Sequence, residues 1–452
     1  MRFINRSSVI IFICVVTSSF SFCQTDYHLK KMSPDAARKD LLIMRDTLEK
    51  IHAGLYRYKS KTNMDRLFDS CYRSVTDTMT IINFYTLTRY IIASIEDGHS
   101  NSRLSDDDMN EYVNNAPVFP AMVLFIHDRA FILCSKQNDS MAESELLSIN
   151  DHPAKEIIER SFKYIQSDAG IESHKNWELP EYFQLLYYAL YGAAENFTIN
   201  YKTRSGHIQT TTIHADLIKN IICAHPFTRP NRYLTLEYKP GNIALLTLKT
   251  FFNGFLDQTK ENFSSFLDSA FTDIKNKRVE KLIIDVRSNQ GGNDNNGETL
   301  YSYLTDKPFS YYASQETTTE KFSEKDHTNL KLQEPEKNNF AGKVFILANG
   351  RSFSGVAEFS SIVKTNNRGL FIGEECGGGY YGNTSGDEAN VTLPNSKIIV
   401  RIPMIKYTMA IKKLPNGQQG IKPDLIFYHS ITDIAEHRDS QLEYALKIVS
   451  SK

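Results

Sequence analysis

A strand that runs directly into a helix at residues 343–363 places the strongest constraint on the fold of this chain. Val344–Leu347 form a continuous apolar run, which is typical of a strand buried on both faces. A turn at Asn349-Gly350 ends the strand, and apolar residues then recur at helical spacing. Ser354 therefore lies at a sharp strand-to-helix junction, where the helix N-terminus can stabilise a developing negative charge. A nucleophilic serine needs such a position, but serine is also a preferred N-cap, and Ser352 or Ser354 could serve only as one.

The composition is that of an ordinary globular protein with room for several domains. The chain has 452 residues, of which 41% are hydrophobic and 23% are charged, and its formal net charge is −1. It has no basic excess that would favour nucleic acid binding, and no acidic tail. Its six cysteines include no CxxC pair, so we predict no zinc site and expect one or two disulfides in an oxidising compartment.

The N-terminus has the pattern of a secretory signal. Arg2 and Arg6 form a positive region, and the apolar run Val9–Val16 is too short to span a bilayer. We expect residues 1–23 to be a cleaved signal peptide and the mature protein to be exported, either periplasmic or secreted. The alternative is a lipoprotein signal with Cys23 as the lipidated residue, which the bulky residue before it fits poorly. No later segment is apolar enough for a stable membrane span.

Three regions follow the signal. Residues 24–110 are predicted to be largely helical and to end at an Asp97-Gly98 turn. Residues 115–205 combine short strands with two helices in a compact module. Residues 230–452 alternate strands and helices, which predicts an α/β core. His99 and Ser100 lie on the turn that ends the helical region. A histidine on a turn is usually a solvated surface residue, although loops also carry catalytic groups.

A polar glycine loop follows a second buried strand, Lys281–Val286. The loop, Arg287–Gly292, lacks the spaced glycines of a dinucleotide site and the Gly-Lys-Ser/Thr of a P-loop. Its glycines, Gly291 and Gly292, are suited to presenting bare backbone N–H groups in an oxyanion hole, and Gly355 would supply another N–H group. The alternative for the two loop glycines is a tight turn. We predict no cofactor and no metal.

Three blocks in this order resemble the tail-specific (C-terminal processing) serine peptidases: Asp285–Gly292, Ser352–Glu358, and Gly373-Glu374 with the glycines after it. Glu145–Asn150 resembles the PDZ-like module of such peptidases, and Asp97–Ser100 resembles the histidine motif of their tricorn-core and retinoid-binding-protein-like branch. The resemblance covers nearly all of the mature chain. It implies a crotonase-like core of stacked ββα units, with an N-terminal helical region and a PDZ-like module. It also implies endopeptidase or carboxy-terminal trimming activity.

The expected general base departs from the processing-protease pattern. Those enzymes use a Ser-Lys dyad, and Gly379 occupies the position of the lysine here. We therefore predict that His99, whose unperturbed pKa suits a base, accepts the proton of Ser354. Ser100 would orient His99, as the tricorn-type arrangement implies. A displaced dyad using Lys364 or Lys406 is the alternative.

The glutamate that completes the tricorn-type site has no counterpart in the sequence. The corresponding residues are Gly417, Gln418 and Gln419. Glu374 and Glu375 could replace it, although carboxylates on a loop are more often simply solvated. The fourth member of the site thus stays open.

The resemblance predicts acyl transfer on a polypeptide substrate. Ser354 would attack the peptide carbonyl, His99 would move the proton, and the glycine N–H groups would stabilise the oxyanion. The PDZ-like module would bind the polypeptide by strand addition. Two other classes remain open: a catalytically inactive binder of apolar ligands or peptides on the same fold, and an esterase using the same serine. The sequence indicates no oligomeric state.

Overall fold

A computed structural model describes residues 30–221, 230–415 and 419–451 of the chain. The predicted signal peptide, residues 1–23, lies outside the described residues. Among the residues described, none of the helices combines the length and the apolar character needed to cross a bilayer. Cys134 is disulfide-bonded, whereas Cys71 and Cys376 are free and buried.

The first part of the described chain is mainly helical, as predicted. Its first helix begins where the sequence indicates, because the Ser33 side chain accepts the N–H of Ala36 and Pro34 occupies the first turn. The helices bury their apolar faces against one another in one cluster. The elements are β1 (Lys31–Met32), α1 (Pro34–Ile51), α2 (Lys61–Ser74), β2 (Met79–Thr80), α3 (Ile81–Ile95), β3 (Asn101–Arg103) and α4 (Asp106–Asn115).

The second part is an antiparallel sheet with helices packed on it. Its elements are β4 (Pro117–Val118), β5 (Met122–Ile126), β6 (Arg129–Cys134), β7 (Glu145–Ile149), β8 (His152–Pro153), α5 (Ala154–Ser161), α6 (Glu172–Tyr191), β9 (Asn196–Lys202), β10 (Ile208–His214), β11 (Asp216–Leu217) and α7 (Ile218–Ile221). The strand order is β10-β9-β7-β6-β5, with β8 paired to β7. Since β10 pairs with β9 along its whole length, this sheet continues to His214, beyond the boundary expected at residue 205.

The third part contains the α/β core. Its strands are β12 (Leu234–Lys239), β13 (Ile243–Leu248), β14 (Lys281–Asp285), β15 (Phe309–Ser310), β16 (Tyr312–Glu316), β17 (Leu332–Gln333), β18 (Lys343–Ala348), β19 (Leu370–Gly373), β20 (Thr384–Thr392), β21 (Ile399–Met409) and β22 (Leu425–Ile426). Its helices are α8 (Asn253–Gln258), α9 (Phe263–Asn276), α10 (Asp294–Ser302), α11 (Gly355–Thr365), α12 (Ile431–Ala435) and α13 (Ser440–Ser451).

A six-stranded sheet in the order β12-β13-β14-β18-β19-β22 forms the centre of this part. All neighbouring pairs are parallel except β12 and β13. One face is buried against α9, α10 and α11, and the other against α13. The prediction of a mixed α/β fold is therefore confirmed. Because β14 and β18 are parallel neighbours, the loops that follow their carboxyl ends meet at one edge of the sheet, where α/β proteins usually place their sites.

A smaller sheet brings the helical region to that edge. β21 pairs with β16 and β20, and it also pairs with β3 from the helical region. In this ladder Asn101 lies opposite Arg401, and Arg103 lies opposite Ile399. Because β3 begins two residues after His99, this pairing fixes the histidine turn against the core.

Candidate active site

Ser354 occupies the N-cap position of α11 in a strained backbone conformation. Its φ of 54° and ψ of −129° are unusual for a residue with a side chain, and its hydroxyl does not cap the helix. The hydroxyl instead lies 3.0 Å from Nε2 of His99. The Ser352 hydroxyl is fully buried, where it donates to Val286 O and accepts the N–H of Asn349. The alternative that the Ser354 hydroxyl serves only to cap the helix is therefore not supported, and the Ser352 hydroxyl links two loops.

His99 reaches Ser354 although the two residues are 255 positions apart in sequence. Its turn is held by Asp97, whose Oδ1 accepts the N–H groups of His99 at 3.0 Å and of Ser100 at 2.9 Å. The ring stacks on Phe353, with 4.6 Å between ring centroids. Burial lowers the pKa of His99, which favours the neutral imidazole that can accept a proton.

Ser100 does not contact the His99 ring. Its buried hydroxyl donates to Asp97 Oδ1 at 3.1 Å and lies 2.8 Å from Nε2 of His52. The prediction that Ser100 orients His99 thus finds no direct hydrogen bond, and the two residues are linked through Asp97. The Ser100 hydroxyl is instead hydrogen-bonded to the buried side chains of His52 and Asp97.

Asp168, which the sequence did not single out, lies beside His99. One nitrogen of His99 and one carboxylate oxygen each of Asp97 and Asp168 lie within 4.8 Å of one another. Two backbone N–H groups hold the Asp168 carboxylate, from Gly98 at 2.7 Å and from Gly379 at 3.0 Å. Gly379, at the position expected for the lysine of a dyad, thus anchors a carboxylate near the histidine.

The contact between Asp168 and His99 is electrostatic. Nδ1 of His99 is buried and has no hydrogen-bond partner among the described residues. The Asp168 carboxylate raises the pKa of His99, with a smaller effect from Asp97, and so opposes the effect of burial. Burial raises the pKa of Asp168 itself, and the neighbouring Asp97 adds to this increase. The spacing of the three groups would also admit a metal ion, so the expectation of no metal stays a prediction.

The candidate oxyanion donors are the N–H groups of Gly292 and Gly355. Neither donates to an acceptor within the described part of the chain. The N–H of Gly291 is different, because it donates to Oδ1 of Asn289 at 2.9 Å. In this arrangement the N–H of Gly291 is already used, so the prediction that it donates to the oxyanion is wrong. The Asn289 side chain also donates to Leu248 O, so it holds the loop in place.

Both loop glycines are required by the backbone. Gly292 has a φ of +141°, and a Cβ placed there would lie 2.1 Å from the backbone N of Phe252. Gly291 has a φ of +89°, and its Cβ would lie 2.7 Å from Cβ of Ser354. The loop thus approaches the serine more closely than any other residue type would permit.

The other candidate bases and acids are engaged elsewhere. Lys364 contacts Asp424, and Lys406 contacts Glu316, so neither lysine reaches the Ser354 hydroxyl. Glu374 accepts from Trp177 Nε1 at 2.7 Å and from the Gly350 N–H at 3.1 Å. A carboxylate oxygen of Glu375 packs against Gly420. Gly417 and Gln418 lie outside the described residues.

Ion pairs of Arg287 hold the start of the glycine loop, Arg287–Gly292, in place. Arg287 contacts Asp285 in β14 and Asp439 just before α13. It also donates to Gln441. These contacts assign Arg287 to holding the loop in place.

Comparisons with known proteins give a family match and a likeness in fold. Residues 242–427 match peptidase family S41. Mature CPAF has a similar structure over 92% of this chain and 97% of that chain, with 14% sequence identity and a TM-score of 0.62. Mature CPAF complexed with lactacystin gives a TM-score of 0.58 at 15% identity, covering 92% of this chain and 98% of that chain. No curated protein is a significant sequence match.

The family match spans the strands and loops that carry Ser354 and the two loop glycines. The structural similarity extends the likeness in fold to the rest of the described chain. The match over residues 242–427 supports the resemblance to the tail-specific S41 peptidases, and the chain is a serine-type peptidase.

Proposed function

We propose that the protein hydrolyses peptide bonds through an acyl-enzyme on Ser354, with His99 as the general base. The 3.0 Å contact between Ser354 Oγ and His99 Nε2 is the observation that carries this proposal. It is within the reach that proton transfer requires. The lysine that a dyad would use is replaced by Gly379, and the imidazole of His99 is the base within hydrogen-bond distance of the hydroxyl.

Each step of the proposed reaction is assigned to one named group of the candidate site. His99 Nε2 accepts the proton of Ser354 as Oγ attacks the carbonyl carbon, and the same nitrogen returns that proton to the leaving amine. The N–H groups of Gly292 and Gly355 receive the oxyanion. Asp168 stabilises the imidazolium that forms in between. Water then attacks the acyl-enzyme with His99 again as the base, which releases the new carboxylate.

The second part of the chain supplies a surface for the polypeptide, as the predicted PDZ-like module would. Strand β5 is at one end of its sheet within the described chain, so its outer edge can pair with an extended peptide. A cavity of about 580 Å³ runs beside this strand and is lined by apolar groups such as Phe162 and Trp177. It extends to Ser288 and Asn349, which belong to the two loops of the candidate site.

Fluorophosphonate labelling of the purified protein tests the nucleophile. The native protein should be labelled on Ser354, and Ser354→Ala should abolish labelling while its circular dichroism spectrum is unchanged. Ser140→Ala, at an exposed position, is the matched control and should label normally. Labelling that persists in Ser354→Ala, or that falls on Ser352, contradicts the assignment. A native protein that never labels favours the ligand-binding alternative.

Hydrolysis of a peptide and of an ester with the same acyl group separates a peptidase from an esterase. An amine is a poor leaving group that must be protonated, whereas an alcohol leaves more easily. We therefore expect His99→Ala to lower peptide hydrolysis by a factor on the order of 10²–10⁴ and to affect ester hydrolysis less. An enzyme that cleaves only the ester would be an esterase.

We further propose that the protein acts outside the cytoplasm, on the basis of the positive and apolar pattern of residues 1–23. Mass spectrometry of the N-terminus of protein from its native host decides this. The expected mature chain begins at Gln24. An intact Met1, or a lipid on Cys23, contradicts soluble export.

A further inference from the structure

Three carboxyl groups lie beside the candidate oxyanion site and have no part in the mechanism above. Glu358 is in the first turn of α11, and its Oε2 is 3.8 Å from where a Cβ on Gly355 would lie. Asp294 begins α10, two residues after Gly292, and Glu298 follows it by one helical turn on the same face. We call Asp294, Glu298 and Glu358 the acidic cluster.

The hydrogen-bonding capacity of the acidic cluster is only partly used. Glu358 is 1% exposed and accepts from the Tyr312 hydroxyl at 2.6 Å and from Asn383 Nδ2 at 2.7 Å. In contrast, Oε2 of Glu298 is buried with no hydrogen-bond partner within the described chain. Asp294 and Glu298 are both partly exposed, so the cluster is open on the α10 side.

The hydroxyl of Tyr311 faces the acidic cluster and has no hydrogen-bond partner among the described residues. Tyr311 is 0% exposed, and its hydroxyl is buried with no hydrogen bond to any described group. It would lie 2.5 Å from a Cβ on Gly297, which places it against α10. The phenol interacts electrostatically with all three carboxyl groups of the cluster. Buried polar groups without partners are rare, so this set is suited to a ligand that brings hydrogen-bond donors.

Charge favours a cation as that ligand. Burial raises the pKa of Asp294 to about 6, and a bound cation would favour the ionised form of this carboxyl group. Burial raises the pKa of Glu298 to about 7 and that of Glu358 to about 8. The charged and titratable groups that face the cluster from other elements are the phenols of Tyr311, Tyr312 and Tyr407 and the carboxyl group of Asp168. No lysine or arginine among the described residues forms an ion pair with any of the three carboxyl groups.

The chemistry of acyl transfer indicates which substrate group would reach the cluster. The carbonyl that enters the oxyanion site belongs to the residue on the N-terminal side of the cleaved bond, called P1. The P1 side chain begins on the Cα next to that carbonyl carbon, so it lies close to the N–H groups of Gly292 and Gly355. We propose that the acidic cluster is a P1 subsite that selects a lysine or arginine side chain. This inference rests on the proposed peptidase function and adds its substrate class.

A matched series of peptides that differ only at P1 tests this subsite on the native enzyme. Lysine and norleucine have similar length, but only lysine carries a charge and three hydrogen-bond donors. We expect kcat/KM for lysine and arginine to exceed that for norleucine by roughly 10- to 100-fold, the range for a hydrogen-bonded charge. Equal values for lysine and norleucine, or a basic preference only on the leaving-amine side, overturn the proposal.

Variants then assign the preference to the cluster. Asp294→Asn with Glu298→Gln should bring the lysine-to-norleucine ratio down towards one, whereas the exposed control Glu334→Gln should leave it unchanged. Fluorophosphonate labelling of each variant shows whether Ser354 is still activated. An unchanged ratio in a variant that labels normally overturns the proposal. Loss of labelling in the native protein would instead defeat the peptidase function, so the two failures are distinguishable.

Discussion

At the scale of single residues, the pair Ser354 and His99 was accessible from the sequence, whereas Asp168 was not. Ser354 is marked by a buried strand that ends in a helix start, and His99 is marked by its resemblance to a family motif. Asp168 stands in an ordinary turn before a helix, and an aspartate near a glycine is common in turns. Its importance arises only in the folded chain, where it approaches His99. The hydrogen bond of Ser100 was inaccessible for the same reason, because its partner His52 is distant in sequence.

The role of Asp168 leads to a prediction about the pH profile. Its carboxylate raises the pKa of His99, so Asp168→Asn should lower that pKa and move the acidic limb of kcat/KM to lower pH. The rate at the optimum should fall by about 10- to 100-fold because the imidazolium loses a stabilising charge. The exposed control Asp151→Asn should change neither quantity. A slower enzyme with an unmoved limb would mean that Asp168 has only a structural role.

At the scale of elements, apolar periodicity predicts most helices and strands. The predictions differ from the structure mainly at the ends of these elements. The buried strands predicted at Val344–Leu347 and Lys281–Val286 are observed at Lys343–Ala348 and Lys281–Asp285. Strand β10 was missed because it is largely exposed, and among its residues only Ile213 is buried. It therefore lacks the alternating apolar pattern on which a sequence-based prediction depends.

The glycine loop leads to a prediction about Gly292. In Gly292→Ala the new Cβ would collide with the backbone of Phe252, so the loop must shift and misplace an oxyanion donor. We expect destabilisation by more than about 1 kcal/mol and an activity loss on the order of 10²-fold. Gly206→Ala is the control, since Gly206 also has a positive φ but no atom within 4 Å of its Cβ position. Similar melting temperatures and activities for the two variants would contradict this account.

At the scale of the whole molecule, one buried ion pair joins the parallel sheet to the C-terminal helix. Arg287, with a smaller effect from Lys249, holds the pKa of Asp285 well below its usual range against the opposing effect of burial. A carboxyl with a depressed pKa stabilises the fold above its unfolded pKa of about 3.9, and this stability is lost as pH falls. Asp285→Asn leaves Arg287 without its main partner inside the protein.

We therefore expect Asp285→Asn to lower the free energy of unfolding at pH 7 by about 3–5 kcal/mol. Urea denaturation at several pH values measures this effect. The difference between native protein and variant should shrink below about pH 4, as Asp285 becomes protonated in the unfolded native chain. The exposed control Asp306→Asn should show no such pH-dependent difference. A difference that stays constant down to low pH would exclude the ion pair as its origin.

The pairing of β3 with β21 has a consequence for biosynthesis. His99 is synthesised 255 residues before Ser354, and the strand that fixes the histidine turn can pair only after residues 399–401 of β21 have been made. A nascent or truncated chain therefore carries a base without a nucleophile, and a fragment that lacks the N-terminal helices carries a nucleophile without a base. On the proposed mechanism, hydrolysis therefore requires β21 to be synthesised and paired with β3, so a chain that stops before residue 399 should be inactive.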